Sequence, residues 1–430
     1  MKALLLRVGI DKGTGGCLAP ILQDDSFEFI PIPEERGSRE DRRYRHLLTE
    51  SNVSFVNFLP QKLFDATPHF DPEFETFTYG DPTQNKSRQL ARLCPDDLLV
   101  FYAGLDPYNA YDKPRLYIIG YFTVEQAFDF SRISKRERKS ILRQLRNNAH
   151  AKRKSPDRGL VIVKGDSQKS RLLSKALPLG DRRNCVLRDL VSIMGFDGSI
   201  LRAIGHWVDD SSIPGLAKYL NYGVSALISD QTVLYSYVLK KDRGFAPNVT
   251  DGYCTLACCK PEIRRLAREG DWVIGTLPKK LGRLRLGYVM RVNEALSFDK
   301  YFNDERFQRK KPDNDPNGDN IYHKQSGKFV QLNNNHHKQE DMRRDTRVDK
   351  VLIGCLFWYF GDQAPEMPPR FGSLIKTGPG HKSTSIPPSA RRSFVSWLTS
   401  QYRPGVQGKP RDTDTNLSRY SESARYTEAG

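Results

Sequence analysis

One pattern occurs twice in this chain. Residues 1–20, MKALLLRVGIDKGTGGCLAP, and residues 233–247, VLYSYVLKKDRGFAP, each run an apolar strand into Asp, a basic residue and Gly, and close on Ala-Pro. Downstream, RQLARLCPDDLLVFYAG (88–104) is echoed by RRLAREGDWVIG (264–275): an amphipathic turn of helix, an acidic turn (Asp96-Asp97, Gly270-Asp271), then an apolar strand. A second strand follows in each copy, RLYIIGYFTV (115–124) and RLRLGYVMRV (283–292). Four matching features in one order constrain the fold to two related modules in tandem. At 430 residues the chain also exceeds what one core serves. The expected class is α+β, each module a strongly bent, barrel-like mixed sheet with flanking helices. The boundaries are 1–230 and 231–372, followed by a Ser/Pro/Gly-rich basic tail over 373–430 with one short helix, ARRSFVSWLTSQY.

Charge limits the partners. Lys and Arg number 68 against 51 Asp and Glu, a formal net charge of +17, which favours a polyanion such as nucleic acid. No apolar run approaches the ~20 residues of a membrane-spanning helix, so no membrane partner is expected. The opening MKALLLRVGIDKG reads as a first strand and not as a signal peptide. Seven irregularly spaced Cys suit free thiols in a reducing cytoplasm.

Local signals then nominate sites. The turn Gly13-Thr14-Gly15-Gly16 between the strand candidates LLLRVGI and FEFIPIP lacks a phosphate-loop pattern and suits a hairpin. His69, Asp71, Glu73 and Asp81 lie in TPHFDPEFETFTYGD, at spacings that fit no standard metal set. In SKRERKSILRQLRNNAHAKRK, Ser134 and Glu137 form a capping box, and Ile141, Leu142, Leu145 and Ala149 make a helical stripe. Eleven Lys/Arg between Arg132 and Arg158 face only Glu137 and Asp157. Lys135, Arg136, Arg138, Lys139, Arg143, Arg146, Lys152, Arg153 and Lys154 are therefore candidate phosphate contacts, against the alternative of a solvated helix face. The strand LVIV (160–163) should lead through Lys164-Gly165-Asp166 into a helix, placing Lys169, Ser170 and Arg171 at an anion-binding N-terminus. A helical segment over 187–206 and a connector are expected next. Cys254, Cys258 and Cys259 cluster at a helix start. Most such thiols are small buried hydrophobes, and a thiol nucleophile is the rarer alternative. Residues 303–347 read as a long polar loop with little core, its His323, His336 and His337 solvated rather than metal-bound. The strand VLIGCLFWYFG (351–361) closes the second module.

The stretches LLLRVGIDKGTGGCLAPI, HFDPEFETFTYGD, DDLLVFYAGL and LVIVKGDSQKSRLLSKALPLG resemble nucleotide modification associated domain 3. YSYVLKKDRGFAPN, CTLACCKPEIRR, GDWVIGT, FDKYFNDERFQRKKP, GDNIYHK and VLIGCLFWYFG resemble nucleotide modification associated domain 2. That resemblance implies a role in handling hypermodified bases of DNA, in a modification or phage-defence setting with possible partner proteins. It supplies no catalytic residue and no cofactor. The helix, acidic turn and strand pattern is also similar to PUA-like folds such as EVE and YTH domains, which by analogy suggests an aromatic pocket for a modified base. Tyr79, Phe101, Tyr102, Phe245 and Trp272 adjoin the relevant turns. Asp11 and Asp242 could accept from a base amino group or merely fix a turn. Leading is a nucleic-acid-binding protein that recognises a modified base. The alternatives are an enzyme, with Asp11, His69, Asp71, Glu73 and Asp242 as acid/base candidates, and a scaffold.

Overall fold

The structure, a computed structural model, describes every residue except 23–24, 50–51, 108–112, 156, 279–283, 384–386 and 413–430. It divides into two compact units: Met1–Leu227 with Val395–Arg403, and Ile228–Phe394 with the chain from Pro404. Arg283 of the second repeat and the last 18 residues of the basic tail lie outside the described residues.

In the first unit the strand Ala3–Arg7 pairs in parallel with Leu98–Pro107, which pairs antiparallel with Arg115–Asp129. The second unit repeats this: Leu234–Val238 is parallel to Trp272–Thr276, which is antiparallel to Leu286–Arg291. Ala3, Leu4, Leu5 and Leu6 are all fully buried, as a parallel strand covered on both faces requires. The outer neighbour of the first strand is again equivalent, His206–Val208 in one unit and His381–Lys382 in the other, both antiparallel.

The agreement extends to single hydrogen bonds. Asp97 accepts from the amides of Lys2 (2.6 Å) and Cys94 (2.9 Å). Asp271 accepts from the amides of Val233 and Arg268, each at 2.8 Å. The residue before each Asp, Asp96 or Gly270, has positive φ. Each sheet then shifts register four residues on, at Phe101/Tyr102 and at Gly275/Thr276. Gly275 is needed there, because a Cβ would lie 2.3 Å from the Tyr288 ring. The repeated sequence pattern is thus a repeated hydrogen-bond scheme.

Several expectations are corrected. The units are mixed α+β, but no barrel closes among the described residues. The first sheet runs in the open order His206–Val208, Ala3–Arg7, Leu98–Pro107, Arg115–Asp129, Val161–Gly165, Thr78–Asp81. It bends because the 15-residue strand Arg115–Asp129 serves Leu98–Pro107 and Arg171–Pro178 with its first part and Val161–Gly165 with its second, across a bulge at Val124/Gln126.

No helix follows Asp166. Its carboxylate accepts from the Gln168 and Lys169 amides, reversing the chain into the strand Arg171–Pro178. The helix expected over 187–206 is only the short turns Arg188–Leu190 and Val191–Met194, ended by left-handed Gly195, and the longer helix is Ile213–Tyr222. Residues 303–347 are no bare loop. They hold a hairpin (Tyr322–Gln325, Lys328–Gln331) and a helix, Gln339–Thr346, and bury Phe307, Ile321 and Tyr322 beside Phe298 and Tyr301. Within 373–412, the strands His381–Lys382 and Gly405–Val406 join the second sheet.

Candidate functional site

The basic segment folds as two helices, Lys135–Gln144 (α1) and Ala149–Lys152 (α2). Ser134 Oγ accepts the Glu137 amide at 3.2 Å, and Asn148 Oδ1 accepts the His150 amide at 3.0 Å, so each start is capped. Ile141 and Leu145 pack on Phe130, Leu160 and Ile162. That packing turns the cations outward around a cavity of about 720 Å³ lined by Arg39, Lys135, Arg138, Lys139, Arg143, Arg146, Lys152, Arg153, Lys154 and His150, with no acid. Lys152 and Arg153 are already engaged. Lys152 meets Glu40 at 2.7 Å, and Arg153 bridges Glu34 and Asp157, each at 3.0 Å. Arg138 donates to the Asp157 carbonyl at 2.7 Å. Arg39, Lys135, Lys139, Arg143, Arg146 and Lys154 have no acidic partner among the described residues. Arg136 is exposed on α1 outside the cavity lining.

At the wall of this cavity lies a cluster that the sequence shows only in part. His69, Asp71 and His150 each present a ligand-type atom, all within 4.8 Å of one another. His69 Nδ1 is 2.6 Å from Glu34, and His150 Nδ1 is 2.7 Å from Asp157. The rings meet edge to face at 4.8 Å, and His150 Nε2 lies 3.5 Å from Asp71. Asp71 is fixed by the Gly80 amide (2.9 Å) and Asn148 Nδ2 (3.2 Å).

Burial alone would raise the Glu34 and Asp157 carboxyls, but hydrogen bonds from His69 and Arg153 to the one, and from His150 to the other, bring both to about 2. Burial would lower His150, yet hydrogen bonds to Asp157 and Asp71 lift it to about 9. Two imidazoles and a carboxylate, each imidazole oriented by a further carboxylate, can serve as a proton-transfer group or as ligands to one cation. Glu73 and Asp81 are not part of it. Glu73 accepts from Thr76 and Thr78, while Asp81 holds Thr83 and Lys86.

A second cavity, about 330 Å³, is lined by Phe27, Phe29, Phe70 and Phe74 together with Arg42, Lys152 and Asn147 and the acids Glu28, Glu73 and Glu75. The four rings are only half-buried. Arg42 stacks over Phe70 at 4.1 Å. Lys152 lines both cavities. Asp71 lies between Phe70 and Pro72, both wall residues of the aromatic cavity.

The aromatics nominated from sequence lie elsewhere. Tyr79 and Phe101 sit in the first core, and Tyr102 is fully buried with its hydroxyl on the Ile200 carbonyl at 2.9 Å. Trp272 is buried against Trp358, and Phe245 stacks on His336. Asp11 and Asp242 are equivalent turn acids. Asp11 accepts from the Gly13 and Thr14 amides, and Asp242 accepts from the Gly244 amide and, at 2.6 Å, the Tyr359 hydroxyl. Lys169 pairs with Asp96 at 3.0 Å, Ser170 is buried on Thr123, and Arg171 covers the Tyr121 ring. Cys254 and Cys258 are buried, and burial raises both thiols. Cys259 is half-exposed, and beside it are His337 and Asp345. His323 stacks on Phe302.

Family models decide the lineage: nucleotide modification associated domain 3 matches residues 2–192, and nucleotide modification associated domain 2 matches residues 231–417. The chain belongs to the nucleotide modification associated domain families. Its domain 3 half carries both cavities and the His69–Asp71–His150 cluster, and its domain 2 half carries Cys259, His337 and Asp345. No curated protein and no solved structure matches it. The family names associate it with nucleotide modification, and no helix among the described residues is long and apolar enough to cross a membrane.

Proposed function

We propose that the domain 3 half binds a nucleotide of a nucleic acid, with phosphates on the cations of α1 and α2 and the base in the aromatic cavity. The modified base expected from the sequence would sit among Phe27, Phe29, Phe70 and Phe74 instead of the buried aromatics nominated there. The observation that carries this reading is the shared wall: Lys152 lines both a cavity rimmed by unpaired cations and a cavity of half-buried rings. Stacking holds any base at about 1–3 kcal/mol, and phosphate contacts supply salt-dependent affinity. Matched oligonucleotides with and without hypermodified bases, titrated at about 50 and 200 mM salt, test it. Lys139→Glu with Arg143→Glu should weaken all of them alike, whereas Phe74→Ala should remove the preference for the modified base. Equal binding by wild type and both variants would overturn the reading.

A second reading, chemistry on the bound nucleotide, is favoured by His150 facing the basic cavity next to His69 and Asp71. If the three ligate a divalent cation, binding must displace the His150 proton, so affinity should climb with pH toward about 9. Calorimetric titration with zinc and manganese, repeated on His69→Ala, distinguishes a ligand set from a proton-transfer pair.

A further inference from the structure

In the domain 2 half the strand Cys254–Leu256 runs into the helix Pro261–Leu266 through a turn that carries Cys259 at φ +61° and Lys260 at φ +43°. Two consecutive left-handed residues with side chains are costly, on the order of 1–3 kcal/mol each, and persist only when their surroundings over-determine them. Here they do. The Cys259 amide donates to Asp345 Oδ1 at 3.1 Å, its carbonyl accepts from Arg264 Nε at 2.9 Å, and the Lys260 carbonyl accepts the Arg264 amide at 3.1 Å. The turn directs adjacent thiols to opposite environments. Cys258 is fully buried with its sulfur on the Asp319 carbonyl, whereas Cys259 is half-exposed with its sulfur 3.4 Å from His337 Nε2.

His337 is held as an orienting chain requires. Its Nδ1 lies 2.9 Å from Asp345 Oδ2, its amide donates to Asn334 Oδ1 at 2.7 Å, and the Phe245 ring packs against it at 4.8 Å. Asp345 is wholly buried and also takes the Tyr322 hydroxyl at 3.2 Å. We propose that Cys259, His337 and Asp345 are the nucleophile, proton carrier and orienting acid of a second active site, which cleaves an acyl compound, an amide or ester, through a thioester. This proposal is independent of nucleotide binding by the domain 3 half.

The electrostatics agree with that assignment. Burial alone would lower His337, but hydrogen bonds to Asp345 and Cys259 lift it to about 9, so the imidazole holds a proton at neutral pH that it can pass to a leaving group. The Cys259 sulfur attacks the acyl carbon and forms the C–S bond. The C–N or C–O bond breaks as His337 passes its proton to the leaving group. Water then attacks the thioester and gives a proton to His337, and C–S cleavage returns acid and thiolate. The nearby cations are engaged in holding the turn: Lys260 Nζ lies over the Tyr237 ring at 4.4 Å, and Arg344 pairs with Asp341 at 3.0 Å and Asp345 at 3.4 Å.

Alkylation of the full chain by iodoacetamide, mapped by peptide mass from pH 5.5 to 9, tests the thiolate. p-Nitrophenyl acetate then tests the acyl step. Cys259 should be labelled first, ahead of exposed Cys94, because His337 Nε2 lies 3.4 Å from its sulfur. His337→Ala should slow that labelling at every pH. Wild type should give a burst of nitrophenolate with one acetyl group on Cys259, Cys259→Ser should lose the thioester adduct, and Cys258→Ala should keep both. The proposal is overturned if exposed Cys94 reacts first, if His337→Ala labels at Cys259 as fast as wild type, or if labelling is blocked until a chelator removes zinc held by Cys258, His337 and Asp345.

Discussion

At the scale of single residues, the buried charges carry the information. His150 is raised from 6.5 to about 9, so its bound proton stabilises the fold fully below pH 6.5, and that contribution is lost as pH rises through about 9. The thermal midpoint of the wild type should therefore fall between about pH 6.5 and 9 more steeply than that of His150→Gln, scanned over the same range. Equal slopes would place the proton elsewhere. Arg264 is the other informative residue. It is fully buried and donates to the carbonyls of Cys259, Asp345, Val348 and Lys350. Arg264→Met leaves four carbonyls without their donor and should cost about 3 kcal/mol or more, read from the urea midpoint. Neither residue was readable as important from sequence. His150 is one polar letter in a basic run, and Arg264 sits in an amphipathic segment where Arg is ordinary. Their roles come from partners far away in the chain, Asp71 for one and Val348 for the other.

At the scale of elements, α1 shows what local sequence does specify. Its start at Ser134, its outward cations and the inward Ile141 and Leu145 follow from the 3.6-residue period and a cap, but the helix ends at Gln144, so Ala149 of the expected stripe opens a second helix capped by Asn148. The segment after Asp166 shows the opposite. Ser, Lys and Arg suggested a helix start, but two Asx-type hydrogen bonds reverse the chain, and the open edge of Arg115–Asp129 takes Arg171–Pro178 as a strand. Tertiary demand for strand partners outweighs weak helical propensity. Since α1 packs through Ile141 and Leu145, Lys139→Ala with Arg143→Ala should leave stability within about 0.5 kcal/mol. The same pair should reduce the salt slope of nucleic-acid binding by about 2, measured by titration at several ionic strengths. A loss of stability instead would make the cations structural.

At the scale of the whole molecule, the repeated sequence pattern coincides with matching strand pairing in the two units, because it consists of turns and strands rather than side chains for chemistry. The acidic turn is the joint that both copies need. Asp97 ties the amide of Lys2, at the entrance to the first strand, to the turn that starts the second, and Asp271 does the same for Val233. Replacing either Asp by Ala orphans two backbone amides, at about 1–3 kcal/mol. Asp97→Ala should speed amide exchange in Ala3–Arg7 and spare Leu234–Val238, and Asp271→Ala should do the reverse. Equal local costs would establish one structural solution used twice. The two proposed sites differ because the repeated strands do not carry them. The His69–Asp71–His150 cluster hangs on the segments before Thr78–Asp81 and after α1, and the Cys259 turn on the segment before Pro261–Leu266, where the two copies share no pattern. A duplicated frame with unlike insertions can keep one fold and carry two unrelated sites.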